Sequence, residues 1–183
     1  VAAAKDIPVP GGVLIRDPDA EIPEELGYPL ILKPNAEGSS IGIHKESVVE
    51  DAATCRERLK ELLPQFPSGM LVEEYIKGRE LSVPLLESYP GKIVEIVEHQ
   101  FQSDEGEHPV FDYEMKQGGE AAEAVKVVCP PDLSREERER VLDTSRKVFN
   151  AMDCPDFGRV DLRLHENGTP YFIELNALPS LHP

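Results

Sequence analysis

The stretch VDLRLHENGTPYFIELN, Val160–Asn176, constrains the fold more than any other part of the chain. Two alternating runs flank Asn167-Gly168, the strongest short-range signal for a two-residue type I′ hairpin turn. That turn makes Val160/Leu175, Leu162/Ile173 and Leu164/Tyr171 facing pairs, on an apolar surface that must meet a core. The opposite surface carries Arg159, Asp161, Arg163, Phe172, Glu174 and Asn176. Asp161 then stands directly across from Glu174, and Arg159 across from Asn176. Facing carboxylates repel.

A solvated polar face, with each acid neutralised by a neighbouring arginine, is the plain explanation. The make-up of this end of the hairpin favours another. Asp161, Glu174 and Asn176 all supply hard oxygen ligands, and facing side chains lie within ~5 Å. A divalent cation between them turns repulsion into coordination. Magnesium suits the set, because it takes one or two carboxylates together with waters and substrate phosphates. The hairpin therefore predicts a nucleotide.

The 183 residues leave room for one large domain or two small ones. Apolar residues make up 40% and charged residues 30%, a soluble globular balance. No apolar run is long enough to span a bilayer, and no signal peptide is visible, so a cytoplasmic protein without membrane attachment is expected. The opening VAAAKDIPVP lacks a methionine and reads as the end of a helix, so a fragment of a longer protein is expected. The net charge of −16 repels a polyphosphate backbone and argues against nucleic-acid binding, while leaving room for a small anion at a local basic focus. Cys55, Cys129 and Cys154 are odd in number and widely spaced, which fits reduced thiols rather than a zinc site. His44, His99 and His108 have no partners at ligand spacing and are expected at the surface.

Along the chain, Pro29–Lys33 reads as a buried strand ended by Pro34, followed by the loop Asn35-Ala-Glu-Gly-Ser-Ser and a strand over Ile41–His44. Ser47 with Glu50 spells a capping box opening a helix to about Leu63, and Ser134 with Glu137 spells a second, opening a helix to about Met152. Strands are expected over Met70–Tyr75, Arg79–Leu86 and Lys92–His99, and a polar, Gly-rich loop or flap over residues 102–123. The acids of Glu136-Glu-Arg-Glu fit a solvated helix face. Strands alternating with two amphipathic helices, and hairpin-like pairs, give an α+β fold with mixed or antiparallel sheets.

Lys33 ends a buried strand just before Glu37-Gly-Ser-Ser-Ile-Gly. Such a loop can set backbone N–H groups against phosphates, with the lysine as counter-charge. The order Lys33-Pro, Glu-Gly-Ser-Ser-Ile-Gly-Ile, Val-Glu-Glu-Tyr-Ile-Lys-Gly-Arg-Glu, Tyr113-Glu-Met-Lys116, Gly158-Arg-Val-Asp161 and Glu174-Leu-Asn176 resembles the ATP-grasp ligases, and within them the D-alanine–D-alanine ligase family. The resemblance runs from about Ile7 to Pro179.

That resemblance implies ATP between two α+β subdomains, a smaller one over residues 1–88 and a larger one over 89–183 that holds the flap and the hairpin 157–176. Lys33 would contact the phosphates, Glu73, Glu74, Tyr75 and Ile76 the adenine, and Glu80 the ribose hydroxyls. Ser39 and Ser40 would close over the phosphates, and Lys116 would approach the γ-phosphate. Asp161, Glu174 and Asn176 match ligands of two magnesium ions, with manganese an allowed substitute, and Arg159 matches the arginine that steadies the tetrahedral intermediate. Arg159, Lys116 and Ser39 are thus the catalytic candidates. The implied reaction joins a carboxylate to an amine through an acyl phosphate, as in cell-wall precursor synthesis, with small amino acids or similar molecules as partners and a homodimer as an allowed assembly of the full-length protein.

The match has gaps. The family's amino-terminal domain and an early lysine are absent from this chain. Gln117 stands where the family places an aromatic residue, and Ala-Leu-Pro-Ser180 follows Asn176 where it reads Thr-x-Pro-Gly. These departures fall on the amino-acid half of the site. Another amino acid, a hydroxy acid or a peptide as substrate, or a non-catalytic nucleotide-binding module, are the alternatives.

Overall fold

The computed structural model describes residues 2–38, 40–88, 92–102, 108–110, 125–154 and 156–179. In chain order these form strands β1 (Gly12–Ile15), β2 (Leu30–Pro34) and β3 (Val48–Val49), helix α1 (Ala52–Leu62), and strands β4 (Met70–Glu74), β5 (Gly78–Leu86), β6 (Val97–Phe101) and β7 (Val125–Val128). Helix α2 (Arg135–Ala151) and strands β8 (Phe157–His165) and β9 (Pro170–Asn176) complete the order. The expected α+β architecture is present, and every strand pairing of defined register is antiparallel. None of the described helices is long and apolar enough to cross a membrane.

The chain divides into two units, one of Gly11–Tyr75 with Phe101–Val125, the other of Val1–Pro10, Ile76–Gln100 and Lys126–Pro183. This differs from a single cut near residue 88. Antiparallel pairing of β5 with β8 along its whole length, from Gly78↔His165 to Leu86↔Phe157, ties residues 78–86 to the C-terminal unit.

The unit containing Gly11–Tyr75 has a sheet of order β1-β4-β2-β3. Leu30, Leu32, Met70 and Val72 of the sheet pack with Cys55, Leu59 and Leu62 of α1. These helix positions recur at helical spacing, which is why one face of α1 is buried. The helix does not begin at the Ser47 box. Asp51 is its N-cap, accepting from the Ala53 and Thr54 N–H groups at 2.9 Å. Ser47 instead accepts from the His44 N–H at 3.0 Å in a short 3₁₀ turn. The β-branched pair Val48–Val49 prefers the extended state and joins β2, which delays the helix. Ile41–His44 forms turns rather than a strand: the Ile41 N–H donates to Gly38 O and the Ile43 N–H to Ser40 O, both at 3.0 Å.

The other unit has a sheet of order β7-β6-β5-β8-β9, with α2 on one face. Val141, Val148 and Phe149 of α2 meet Leu81, Val83, Val160, Leu162 and Phe172. The expected second capping box is present: Ser134 Oγ accepts from the Glu137 N–H, and Glu137 accepts from the Ser134 N–H at 2.8 Å. The strand expected at Lys92 starts later, at Val97, after a single bridge of Ile93 to Leu85.

The β8–β9 hairpin departs from the expected register in an instructive way. Its turn holds three residues, Glu166-Asn167-Gly168, closed by His165 and Thr169, and only Gly168 takes a left-handed φ, +79°. Pairing next to the turn is therefore Leu164↔Pro170, Arg163↔Tyr171 and Leu162↔Phe172. A bulge follows, with Ile173 as the extra residue, and beyond it Asp161 faces Glu174, Val160 faces Leu175 and Arg159 faces Asn176. The bulge restores the register at the far end and inverts the faces near the turn. Phe172 enters the core, contrary to its expected polar-face position, while Tyr171 faces Arg163.

Candidate active site

The face of the five-stranded sheet turned away from α2 carries Glu80 and Ser82 of β5, His99 of β6, Arg159, Asp161 and Arg163 of β8, and Glu174 and Asn176 of β9. The register places Glu80 between His99 of β6 and Arg163 of β8, and Ser82 beside Asp161. Alternation along β5 puts Glu80, Ser82 and Pro84 on this face, while Leu81, Val83 and Leu85 go to the core.

Asp161 is the most heavily bonded acid here. Its Oδ1 accepts from Arg159 Nε at 2.7 Å and from Ser82 Oγ at 2.8 Å. Its Oδ2 accepts from Arg159 Nη2 at 2.8 Å and from Asn176 Nδ2 at 2.9 Å. The Arg159 bonds to Asp161 raise the Arg159 pKa above its ordinary value despite partial burial, and the charges of Asp161, Glu174 and Glu80 add to the effect. Arg159 is a permanent cation at this spot. Asp161, Glu174 and Asn176, expected together from the hairpin, are thus brought to one end of β8 and β9, with Glu174 exposed.

Two residues here escaped the sequence reading. Ser82 is buried, and His99 Nε2 lies 3.1 Å from its Oγ, so His99 is half-buried rather than a surface residue. The signal for Ser82 was present, since an alternating strand that exposes Glu80 on one face also puts Ser82 there.

In the unit containing Gly11–Tyr75, Lys33 near the end of β2 forms an ion pair with Glu73, Nζ to Oε2 at 2.7 Å, the two side chains 20% and 17% exposed. Glu74 Oε2 accepts from the Gly11 N–H at 2.9 Å. The Tyr75 N–H donates to Pro29 O at 3.0 Å and its hydroxyl to Pro109 O at 2.7 Å. The His108 ring lies edge-on to Tyr75, its centroid 5.0 Å away, and His108 pairs with Glu50, so it too is no simple surface residue. Ser40 adopts φ +59° in the loop after β2. Ile76, buried, begins the next segment of the other unit. Ser39 and Lys116, as well as Gln117 and Ser180, lie outside the described residues.

Two carboxylates and an amide at one hairpin end are a hard-oxygen donor set of the kind magnesium takes. Among the described residues no group of three or more His, Cys, Asp or Glu side chains is placed to hold a metal. Two carboxylates and one amide are few ligands, and magnesium ordinarily completes a set of that size with waters and phosphate oxygens.

The family model described as "D-ala D-ala ligase C-terminus" matches residues 14–182. The D-alanine–D-alanine ligase of Flavobacterium psychrophilum is 34% identical over 184 residues, covering 97% of this chain and 52% of that protein. Among solved structures, the D-alanine–D-alanine ligase of Bacillus anthracis superposes with a TM-score of 0.74 at 26% identity, over 98% of this chain and 55% of that one. The VanG D-Ala:D-Ser ligase of Enterococcus faecalis gives 0.71 at 25% identity, over 97% and 50%. The chain spans about half the length of the curated relatives it matches. Its sequence across nearly its full length, and two antiparallel α+β units shared with these enzymes, make this chain a member of the D-alanine–D-alanine ligase C-terminal family, with the ATP-grasp fold.

Proposed function

We propose that the protein is an ATP-dependent carboxylate–amine ligase that releases ADP and forms an amide bond through an acyl phosphate. The observation that carries this reading is the Asp161/Glu174 pair held across the hairpin beside Arg159 and Asn176. Two acids with a permanent cation and an amide suit a polyphosphate better than they suit a solvated strand end.

In this reading a carboxylate oxygen of the first substrate attacks the γ-phosphorus, and the bond to ADP breaks. The amine of the second substrate then attacks the acyl carbon, phosphate leaves, and the amine loses a proton. Magnesium held by Asp161, Glu174 and Asn176 would offset the charge of the phosphate oxygens. Lys33 would turn from Glu73 to the phosphates, Ser39 and Ser40 would cover them, and Lys116 would meet the γ-phosphate. Glu73, Glu74, Tyr75 and Ile76 would border the adenine, and Glu80 would accept from the ribose. Arg159 would steady the oxyanion of the tetrahedral intermediate, a contribution of ~3–4 kcal/mol when one such donor is lost.

The substrates are amino acids or similar small molecules, and the D-Ala:D-Ser ligase among the similar structures supports an acceptor range wider than D-alanine. The test is phosphate release by the full-length protein with magnesium and ATP, scanned over D- and L-amino acids. Stimulation by an amine acceptor is expected, and none by any acceptor would remove the ligase reading. The Glu174→Gln variant should stay folded yet lose magnesium-dependent nucleotide binding.

A further inference from the structure

Arg163 is the one buried cationic residue among the described residues, 8% exposed. Arginine is seldom so buried unless paired. Its Nη1 donates to Glu80 Oε2 at 3.1 Å and its Nη2 to the Gly78 carbonyl at 3.3 Å. One guanidinium is thus tied to a fixed backbone oxygen and to a carboxylate on the same strand. Because the guanidinium is planar and its donors are rigidly disposed, the backbone contact limits its rotation and so fixes where Oε2 sits. Orienting Oε2 also orients Oε1 of the same carboxylate. Desolvating an arginine and an acid together is costly, and a retained buried pair is weak evidence for stability alone.

We propose that Arg163 is a positioning residue for ribose: by holding the Glu80 carboxylate in place, it sets the preference of this site for a ribonucleotide over a deoxyribonucleotide. This rests on the reading of Glu80 as the ribose acceptor. A purely structural pair would brace β5 against β8 without affecting that choice.

The full-length protein, with Arg163→Met and Arg163→Lys variants, is titrated by calorimetry with magnesium and ATP, 2′-deoxy-ATP, 3′-deoxy-ATP and inorganic triphosphate. The unaltered protein should prefer ATP by about ten- to a hundredfold over the analogue lacking the hydroxyl that donates to Glu80, the size of one hydrogen bond to a charged group. In Arg163→Met the preference should fall to about one, with triphosphate affinity unchanged; Arg163→Lys should restore part of it. Far-ultraviolet circular dichroism establishes folding, and if Arg163→Met does not fold, Arg163→Gln and Arg163→Lys carry the same comparison. An unaltered ATP preference in the folded variants overturns the role of Arg163, as does an equal loss of triphosphate binding. Failure of the unaltered protein to bind any nucleotide overturns the nucleotide reading itself, and the role of Arg163 with it.

Discussion

Replacing Glu98 by glutamine tests how the back of the sheet holds the front in register. Arg79 grips Glu98 with two bonds, Nε to Oε1 at 2.6 Å and Nη2 to Oε2 at 2.8 Å, and its Nη1 donates to Asp132 O at 2.8 Å. Gln100 Nε2 adds a bond to Glu98 Oε2 at 2.9 Å. The Glu98 side chain is 5% exposed and that of Arg79 31%. Breaking a fully buried pair from one side costs ~3–5 kcal/mol. With Arg79 partly solvated, about 2–3 kcal/mol is expected for Glu98→Gln, a melting temperature lower by about 4–12 °C for a chain of this size. The bonds from Arg79 hold the Glu98 carboxyl below its ordinary pKa, against burial, which pulls the other way. The folded state therefore binds this proton less readily than the unfolded chain. The stabilisation is fully present above the ordinary glutamate range, about pH 4.3, and disappears as pH falls through the lowered value. Urea unfolding at a series of pH values should show the gap between the two proteins at neutral pH and its closure in acid. Arg79→Met combined with Glu98→Leu should recover most of the loss, because both charges leave the interior together. A gap under about 0.5 kcal/mol, typical of exposed pairs, or a gap independent of pH would refute the reasoning.

Burial pushes the Cys55 thiol up to about 11, whereas Cys129 is exposed. Iodoacetamide at pH 8 should therefore label Cys129 in the native protein and reach Cys55 only after unfolding, as mass spectrometry of digests would show; rapid native labelling of Cys55 would contradict its buried position. Gly78 has φ +146°, and a Cβ there would stand 2.0 Å from Leu164 O. Gly78→Ala must push β5 from β8 and should cost at least about 3 kcal/mol in urea unfolding; a near-neutral result would contradict so close an approach of the two strands.

Much of the site was legible because its residues share short-range periodicity. The alternation around Asn167-Gly168 led to Asp161 opposite Glu174, and the motif order led to the family. The turn differs from the two-residue type that Asn-Gly favours: a three-residue loop forms, with a bulge at Ile173. The two departures cancel at the Asp161 end and not at the Phe172 end. A loop and a bulge shift the register by equal amounts, which alternation alone does not resolve.

The residue types that meet on the hairpin, the capping of α2 at Ser134 and the α+β class are readable from the chain alone, because each depends on neighbours within a few positions. Features that depend on distant partners came from long-range strand pairing. Val48–Val49 pairs with β2, so α1 starts at Asp51. Ser82 and His99 join Asp161 through strands far apart in sequence. Arg163 is buried against Glu80 because β8 lies beside β5, and no local pattern in either strand specifies that contact.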